Sequence, residues 1–278
     1  MIEFPNAKIN LGLRVLHKRP DGYHDIESIF LPVPWCDNLE IIQNKSTDKI
    51  TWKNYGLNIH GNPNDNLISK AYNLLDKDFS LPPVNINLLK QIPMGAGMGG
   101  GSSNAAFALK AFNNIFNLSL NDAQLMQCAS QLGADCSFFI QNKPAAVHGI
   151  GDKISIIDFK WPCNYIYIVY PPYHINTADA YKNMIPKDIY DTTLIELIKQ
   201  PIQIWKDTIF NDFENYAFSI YPEILALKNK IYNSGALYAS MTGSGSAVYG
   251  FFDNKEHIDL PKNYNCKWLE IKPAKGRR

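Results

Sequence analysis

The stretch Pro93-Met94-Gly95-Ala96-Gly97-Met98-Gly99-Gly100-Gly101-Ser102-Ser103-Asn104 places five glycines within seven positions. Its backbone can enter conformations closed to residues with a Cβ, and it can press closely against a ligand. Upstream, Val84-Asn85-Ile86-Asn87-Leu88-Leu89 alternates as a strand does, and Pro93 ends it. Downstream, Ala105, Ala106, Ala108, Leu109, Phe112, Ile115 and Phe116 recur at helical spacing, with Ser102, Ser103 and Asn104 as capping residues at the junction. The order is strand, glycine loop, helix start. Unpaired N–H groups and the positive end of the helix dipole then face the loop, which predicts a phosphate cradle.

Other glycine-rich patterns fit less well. Gly95, Gly97 and Gly100 satisfy G-x-G-x-x-G, but the acidic residue about 20 positions later should end a second strand. Asp122 lies near that distance, in a stretch (residues 117–122) that reads as a loop opening another helix. No lysine follows the glycines as a Walker loop requires, and the chain has no Asp-Phe-Gly. A ligand-free turn is disfavoured because so much glycine is costly to order.

At 278 residues the chain can form one large or two ordinary domains. A net charge of +1 argues against a nucleic-acid surface. The basic tail from Lys272 to Arg278 is expected to be a solvated end. There is no apolar run of membrane-spanning length and no signal-like start, so the expectation is a cytoplasmic protein without a membrane partner. Cys36, Cys128, Cys136, Cys163 and Cys266 are scattered, with no zinc-ligand spacing and no disulfide framework, so no protein-held metal is expected.

Residues 7–15 alternate, with Ile9, Leu11, Leu13 and Val15 on one face and Lys8, Asn10, Gly12 and Arg14 on the other. A strand with one solvated face would read the same way. Asp21-Gly22 signals a turn before Tyr23 and His24. Further strands are expected over residues 27–32, 39–43, 49–52, 164–170, 235–241, 247–252 and 266–272. Helices are expected after Asn64-Asp65-Asn66, over residues 123–132, and from Asn211-Asp212-Phe213-Glu214. Asp135 could be the N-cap of a short helix, and Gly243-Ser244-Gly245 could be a plain hairpin turn.

The central segment P-M-G-A-G-M-G-G-G-S-S-N resembles the phosphate loop of the GHMP kinases, which include galactokinase, homoserine kinase and the mevalonate kinases. Its triple glycine is most similar to the branch that acts on 4-diphosphocytidyl-2-C-methyl-D-erythritol. Pro5-Asn6-Ala7-Lys8-Ile9-Asn10 resembles the family's first strand, and Arg19-Pro20-Asp21-Gly22-Tyr23-His24 resembles a segment peculiar to that branch. Leu132-Gly133-Ala134-Asp135 matches the family's aspartate motif, although Cys136-Ser137 replaces the usual Val-Pro. Met241-Thr242-Gly243-Ser244-Gly245 is similar to its third motif.

The resemblance implies an α+β, two-domain GHMP kinase fold. An ATP-binding domain over residues 1–160 would be followed, across a cleft, by a ferredoxin-like domain over residues 161–278. It implies Asp135 and Lys8 as catalytic residues, and ATP held by the loop from Met94 to Asn104 (Met94, Gly95, Ala96, Gly97, Met98, Gly99, Gly100, Gly101, Ser102, Ser103, Asn104). Mg²⁺ would sit near Ser102 or Ser103, and Asn66 and Lys90 would lie near the adenine. The cytidine diphosphate derivative of methylerythritol would meet Asn10, Tyr23, His24, Tyr181, Gly243 and Ser244, with the two tyrosines against the cytosine. For Asn66 capping explains the residue as well, and for Tyr181 a place in a helix core does. The expected partners are small molecules, and a homodimer is left open. The rival readings are another GHMP-type kinase and a nucleotide-binding module without catalysis.

Overall fold

The structure is a computed structural model that describes residues 1–59, 61–184, 186 and 190–271, so the basic tail lies outside the described residues. In chain order the first elements are β1 (Ile2–Glu3), β2 (Asn6–Lys18), β3 (His24–Cys36), β4 (Asn38–Gln43), β5 (Ile50–Gly56), α1 (Leu67–Phe79) and β6 (Val84–Lys90). Then come α2 (Gly100–Ile115), α3 (Asp122–Ser130), α4 (Cys136–Gln141), β7 (Ala145–His148), β8 (Lys153–Ile156) and β9 (Tyr165–Tyr170). The remainder is α5 (Thr177–Lys182), α6 (Leu194–Leu197), α7 (Trp205–Thr208), α8 (Phe213–Ile220), α9 (Pro222–Asn233), β10 (Tyr238–Met241), β11 (Val248–Phe252) and β12 (Asn265–Glu270).

The chain divides into two compact units. One comprises Met1–Ala7, Trp35–Met94 and Gly99–Lys143, and the other comprises Lys8–Pro34, Gly95–Met98 and the chain from Pro144 on.

In the first unit the sheet order is β1-β4-β6-β5, with β5 and β6 parallel and α1 as the crossover between them. Val84, Ile86 and Leu88 of β6 are buried and alternate with partly exposed Asn85 and Asn87, as the period of two requires. Asn66 caps α1 through its side chain, which accepts from the Ile68 N–H. The apolar stripe of α2 (Ala105, Ala106, Leu109, Phe112) is fully buried, and Tyr72 of α1 meets Phe112 edge-on at 5.5 Å.

The second unit carries two sheets, β2-β3-β7-β8 and β10-β11-β9-β12. Read from the β12 edge, the latter places the fourth strand beside the first, then the third, then the second. That is the strand order of the ferredoxin-like sheet, with α5 to α9 in the first crossover. The second crossover, residues 253–264, carries no helix. Phe213 and Ala217 of α8 and Ile224, Leu227 and Ile231 of α9 bury their faces in one core with Val169, Met241, Val248 and Phe252 of the sheet.

Candidate active site

The glycine loop joins β6 to α2, and its backbone is as unusual as its composition: Gly95, Gly97 and Gly99 have φ of 66°, 76° and 66°. The helix begins earlier than the capping residues suggested. Gly99 is the N-cap, no side chain caps the helix, and Ser102, Ser103 and Asn104 lie in the first turns. The N-terminal amides are therefore left to solvent or a ligand.

Within the first unit the flanks of this loop are pinned by one carboxylate. Asp37, fully buried at the junction of β3 and β4, accepts from the Gln91 and Ile92 N–H groups at 2.7 and 2.8 Å. Its other oxygen accepts from Lys90 Nζ and, at 3.0 Å, from Asn104 Nδ2. Burial pushes the Lys90 pKa down and the Asp37 charge opposes that shift. Lys90 also lies under the helix start, because a Cβ on Gly100 would come within 3.0 Å of Nζ. Ser103 Oγ is buried with no hydrogen-bond partner, whereas Ser102 lies beside the Cys136 thiol and favours its ionised form, against the larger effect of burial. Burial raises that thiol to about 11, which keeps it protonated. Asp135 precedes α4 as its N-cap, but its side chain makes no cap hydrogen bond, so capping does not account for the carboxylate.

In the second unit, the polar face of β2 is buried rather than solvated. Lys8 is 3% and Asn10 1% exposed. Lys8 Nζ donates to Asn10 Oδ1 at 2.6 Å and stands 4.4 Å from the centre of the Phe30 ring. Asn10 Nδ2 donates to Ser28 Oγ at 2.9 Å, and the Ser28 hydroxyl donates to the Gly12 carbonyl. The Lys8 N–H donates to the Met98 carbonyl at 3.0 Å.

The second glycine turn links β10 to β11, an antiparallel pair, so it is a hairpin turn as well as a motif. Asn211 Nδ2 donates to the Met241 and Gly243 carbonyls at 2.8 and 2.9 Å, and Ser244 Oγ lies 2.8 Å from Thr177 Oγ1. The expected helix start at Asn211-Asp212-Phe213-Glu214 is α8, and its polar groups tie strands together. Asp212 accepts from the Val15 N–H and Glu214 from the Met241 N–H.

Tyr23 is 61% exposed. His24 stacks on Tyr181 with ring centres 5.3 Å apart and 16° between planes, and Phe213 holds Tyr181 edge-on at 4.9 Å. Burial, aided by Lys18, lowers the His24 pKa below 6.5, which favours the neutral ring.

Asp37 and Ser28 were missed by sequence reasoning, and Thr242 and Asn211 were given no role of their own. Thr242 and Asn211 stand inside recognisable motifs, but nothing in the sequence around Asp37 or Ser28 marks them.

An α+β architecture with a ferredoxin-like sheet and, earlier in the chain, a glycine loop opening onto a helix start is the organisation of a small-molecule kinase of the GHMP class. The sequence profile of the GHMP kinases N terminal domain matches residues 66–149, and that of the GHMP kinases C terminal domain matches residues 194–270. A 4-diphosphocytidyl-2-C-methyl-D-erythritol kinase of Bacteroides fragilis is 49% identical over 93% of this chain and 94% of its own. One of Porphyromonas gingivalis is 43% identical over 98% of this chain and 100% of its own. The crystal structure of a 4-(cytidine 5'-diphospho)-2C-methyl-D-erythritol kinase superposes with a TM-score of 0.78, at 28% identity over 90% of both chains. The mevalonate kinase of Methanococcus jannaschii, at 15% identity and a TM-score of 0.69 over 98% of both chains, shares the fold. The chain belongs to the 4-diphosphocytidyl-2-C-methyl-D-erythritol kinase family of the GHMP kinases, which are ATP-dependent.

Proposed function

We infer that this protein phosphorylates the 2-hydroxyl of 4-diphosphocytidyl-2-C-methyl-D-erythritol at the expense of ATP, giving the 2-phosphate and ADP in non-mevalonate isoprenoid-precursor biosynthesis. The observation that carries this reading is near full-length identity of 43–49% to relatives that bear this kinase's name. The two profile matches fall on either side of the division between residues 1–160 as the ATP-binding part and residues 161–278 as the C-terminal part. Among the described residues no helix is long and apolar enough to cross a membrane, and the reading places the reaction in the cytoplasm.

The glycine loop fits a polyphosphate by three features. The amides at the start of α2 are uncapped, and the Ser103 hydroxyl lacks a partner. Gly101 is exposed, and a Cβ placed on it would meet nothing nearer than Leu67 at 3.9 Å. ATP supplies the transferable phosphoryl group, and Mg²⁺ near Ser102 or Ser103 offsets its charge.

In this reading the loop from Met94 to Ser103 holds phosphates through backbone N–H groups. Lys90 and Asn104 steady the flanks of the loop through Asp37, and Asn66 and Lys90 lie near the adenine. Asp135 orients the substrate hydroxyl and accepts its proton late, since a carboxylate is far too weak to ionise an alcohol beforehand. Lys8, its ammonium held by Asn10, offsets charge on the transferring group. Tyr23, His24 and Tyr181 receive the cytosine by stacking and edge hydrogen bonds, and Gly243 and Ser244 lie along the diphosphate.

ADP release with ATP, Mg²⁺ and the cytidyl substrate, beside mevalonate, homoserine and galactose, tests the reading. Turnover confined to the cytidyl substrate is expected. Turnover confined to another alcohol would overturn the substrate, and none with any alcohol would overturn the activity.

A further inference from the structure

Thr242 follows β10 and is fully buried, yet its hydroxyl belongs to neither sheet ladder. Oγ1 accepts from the Asn10 N–H at 3.1 Å. It also lies 3.1 Å from two acceptors, Asn10 Oδ1 and the Gly97 carbonyl. A hydroxyl has one proton, so it serves one of these acceptors at a time. Asn10 Oδ1 is the atom that receives the Lys8 ammonium, at 2.6 Å. The orientation of the Asn10 amide is fixed independently. Ser28 gives its proton to the Gly12 carbonyl and so must accept from Asn10 Nδ2, which leaves Oδ1 toward Lys8 and Thr242. Tyr249 holds the Asn10 carbonyl through its hydroxyl at 2.9 Å.

We propose that Thr242 is a positioning residue that couples the glycine loop to Lys8. A displacement of the Gly97 carbonyl decides whether the Thr242 proton goes to the loop or to Asn10. It thereby decides whether Asn10 Oδ1 serves Lys8 alone or shares its lone pairs with a second donor. Occupancy of the loop is read out at the ammonium through one buried hydroxyl. The catalytic consequence rests on the kinase reading above; the coupling itself does not.

The test compares Thr242→Val, nearly isosteric but without the hydroxyl, with Thr242→Ser, which keeps it. Each is made alone and with Lys8→Met. In the parent enzyme Thr242→Val is expected to lower kcat roughly tenfold to hundredfold, with KM for ATP changed less than about threefold, and Thr242→Ser to retain most activity. In the Lys8→Met background Thr242→Val is expected to cost nothing further, because both changes act through one ammonium. An equal loss in both backgrounds would overturn the coupling.

A second measurement needs no turnover. In protein labelled with ¹³C-lysine, the Lys8 Cε resonance, assigned by its loss in Lys8→Met, should move in Thr242→Val and stay in Thr242→Ser. An unmoved resonance in Thr242→Val also overturns the proposal, even if the parent protein turns out to release no ADP. Should Thr242→Val fail to fold, Thr242→Ala serves in both comparisons.

Discussion

A Cβ placed on Gly97 would stand 1.9 Å from the carbonyl oxygen of Thr242 and 3.3 Å from the Cα of Gly243. The two glycine motifs of the chain therefore meet backbone to backbone. Gly97 is glycine because protein fills the space a side chain would need, and its φ of 76° disfavours any other residue besides.

Gly97→Ala should therefore destabilise the fold as well as the activity, by an amount in the range of about 1–3 kcal/mol associated with a strained backbone. Gly101→Ala is expected to behave in the opposite way. Its position is helical and open, so stability should hold or rise by up to about 1 kcal/mol, while KM for ATP rises because the methyl group intrudes on the phosphates. Thermal melts and ATP saturation curves separate the two. A Gly101→Ala enzyme with unchanged KM would remove that glycine from the ATP site.

Asp37→Ala should be among the most damaging substitutions in the first unit. It strands a buried ammonium and two backbone N–H groups, at a cost of about 3–5 kcal/mol measurable by urea denaturation. Pairing Asp37→Leu with Lys90→Met should recover part of that loss, since no uncompensated charge remains. The pH dependence carries a defined sign. Burial depresses the Lys90 pKa below 10.5, so its contribution is most favourable above 10.5 and is lost as pH falls through the folded-state value. The slope of parent stability against pH in that alkaline window should shrink in Lys90→Met.

Asp135→Asn should lower kcat by roughly 10²–10⁴ with far less effect on stability, because asparagine keeps the shape of the side chain and one acceptor oxygen. Single-turnover ADP formation and a thermal melt check the two halves. A loss below about tenfold would rule out general-base action.

The His24 ring should titrate below 6.5, as followed by NMR of the imidazole protons. Its depressed pKa makes the neutral form the one compatible with the Tyr181 stack, so its small contribution is present above 6.5 and lost as pH falls through the folded value. Lys18→Ala should raise that pKa by removing a like charge. KM for the cytidyl substrate should be flat above pH 6.5 and rise below the His24 titration.

Much of the fold was legible because it is local. The alternation in residues 84–89, the capping residue Asn66 and the apolar stripe of α2 all depend on neighbours within a few positions, and each appears where expected. The ferredoxin-like sheet was also anticipated, although residues 253–264 run without a helix. Local reading failed at the polar face of β2. The alternation around Lys8 is equally that of a solvated strand, and partners from distant segments, among them Ser28, Phe30 and Thr242, the last 232 residues from Asn10, turn that face into an interior.

The sequence by itself determined the order of strand, glycine loop and helix start, which follows from periodicity and from which residues tolerate positive φ, whereas the lack of a side-chain cap on that helix appears only in the structure. Tertiary structure alone decided what each polar group does. Asp37 collects donors from residues 53 to 67 positions away. Thr242 brings the glycine loop and Asn10 onto one hydroxyl. A buried polar atom must find its partner wherever the chain returns, and that choice is set by packing across the core, which no local pattern encodes.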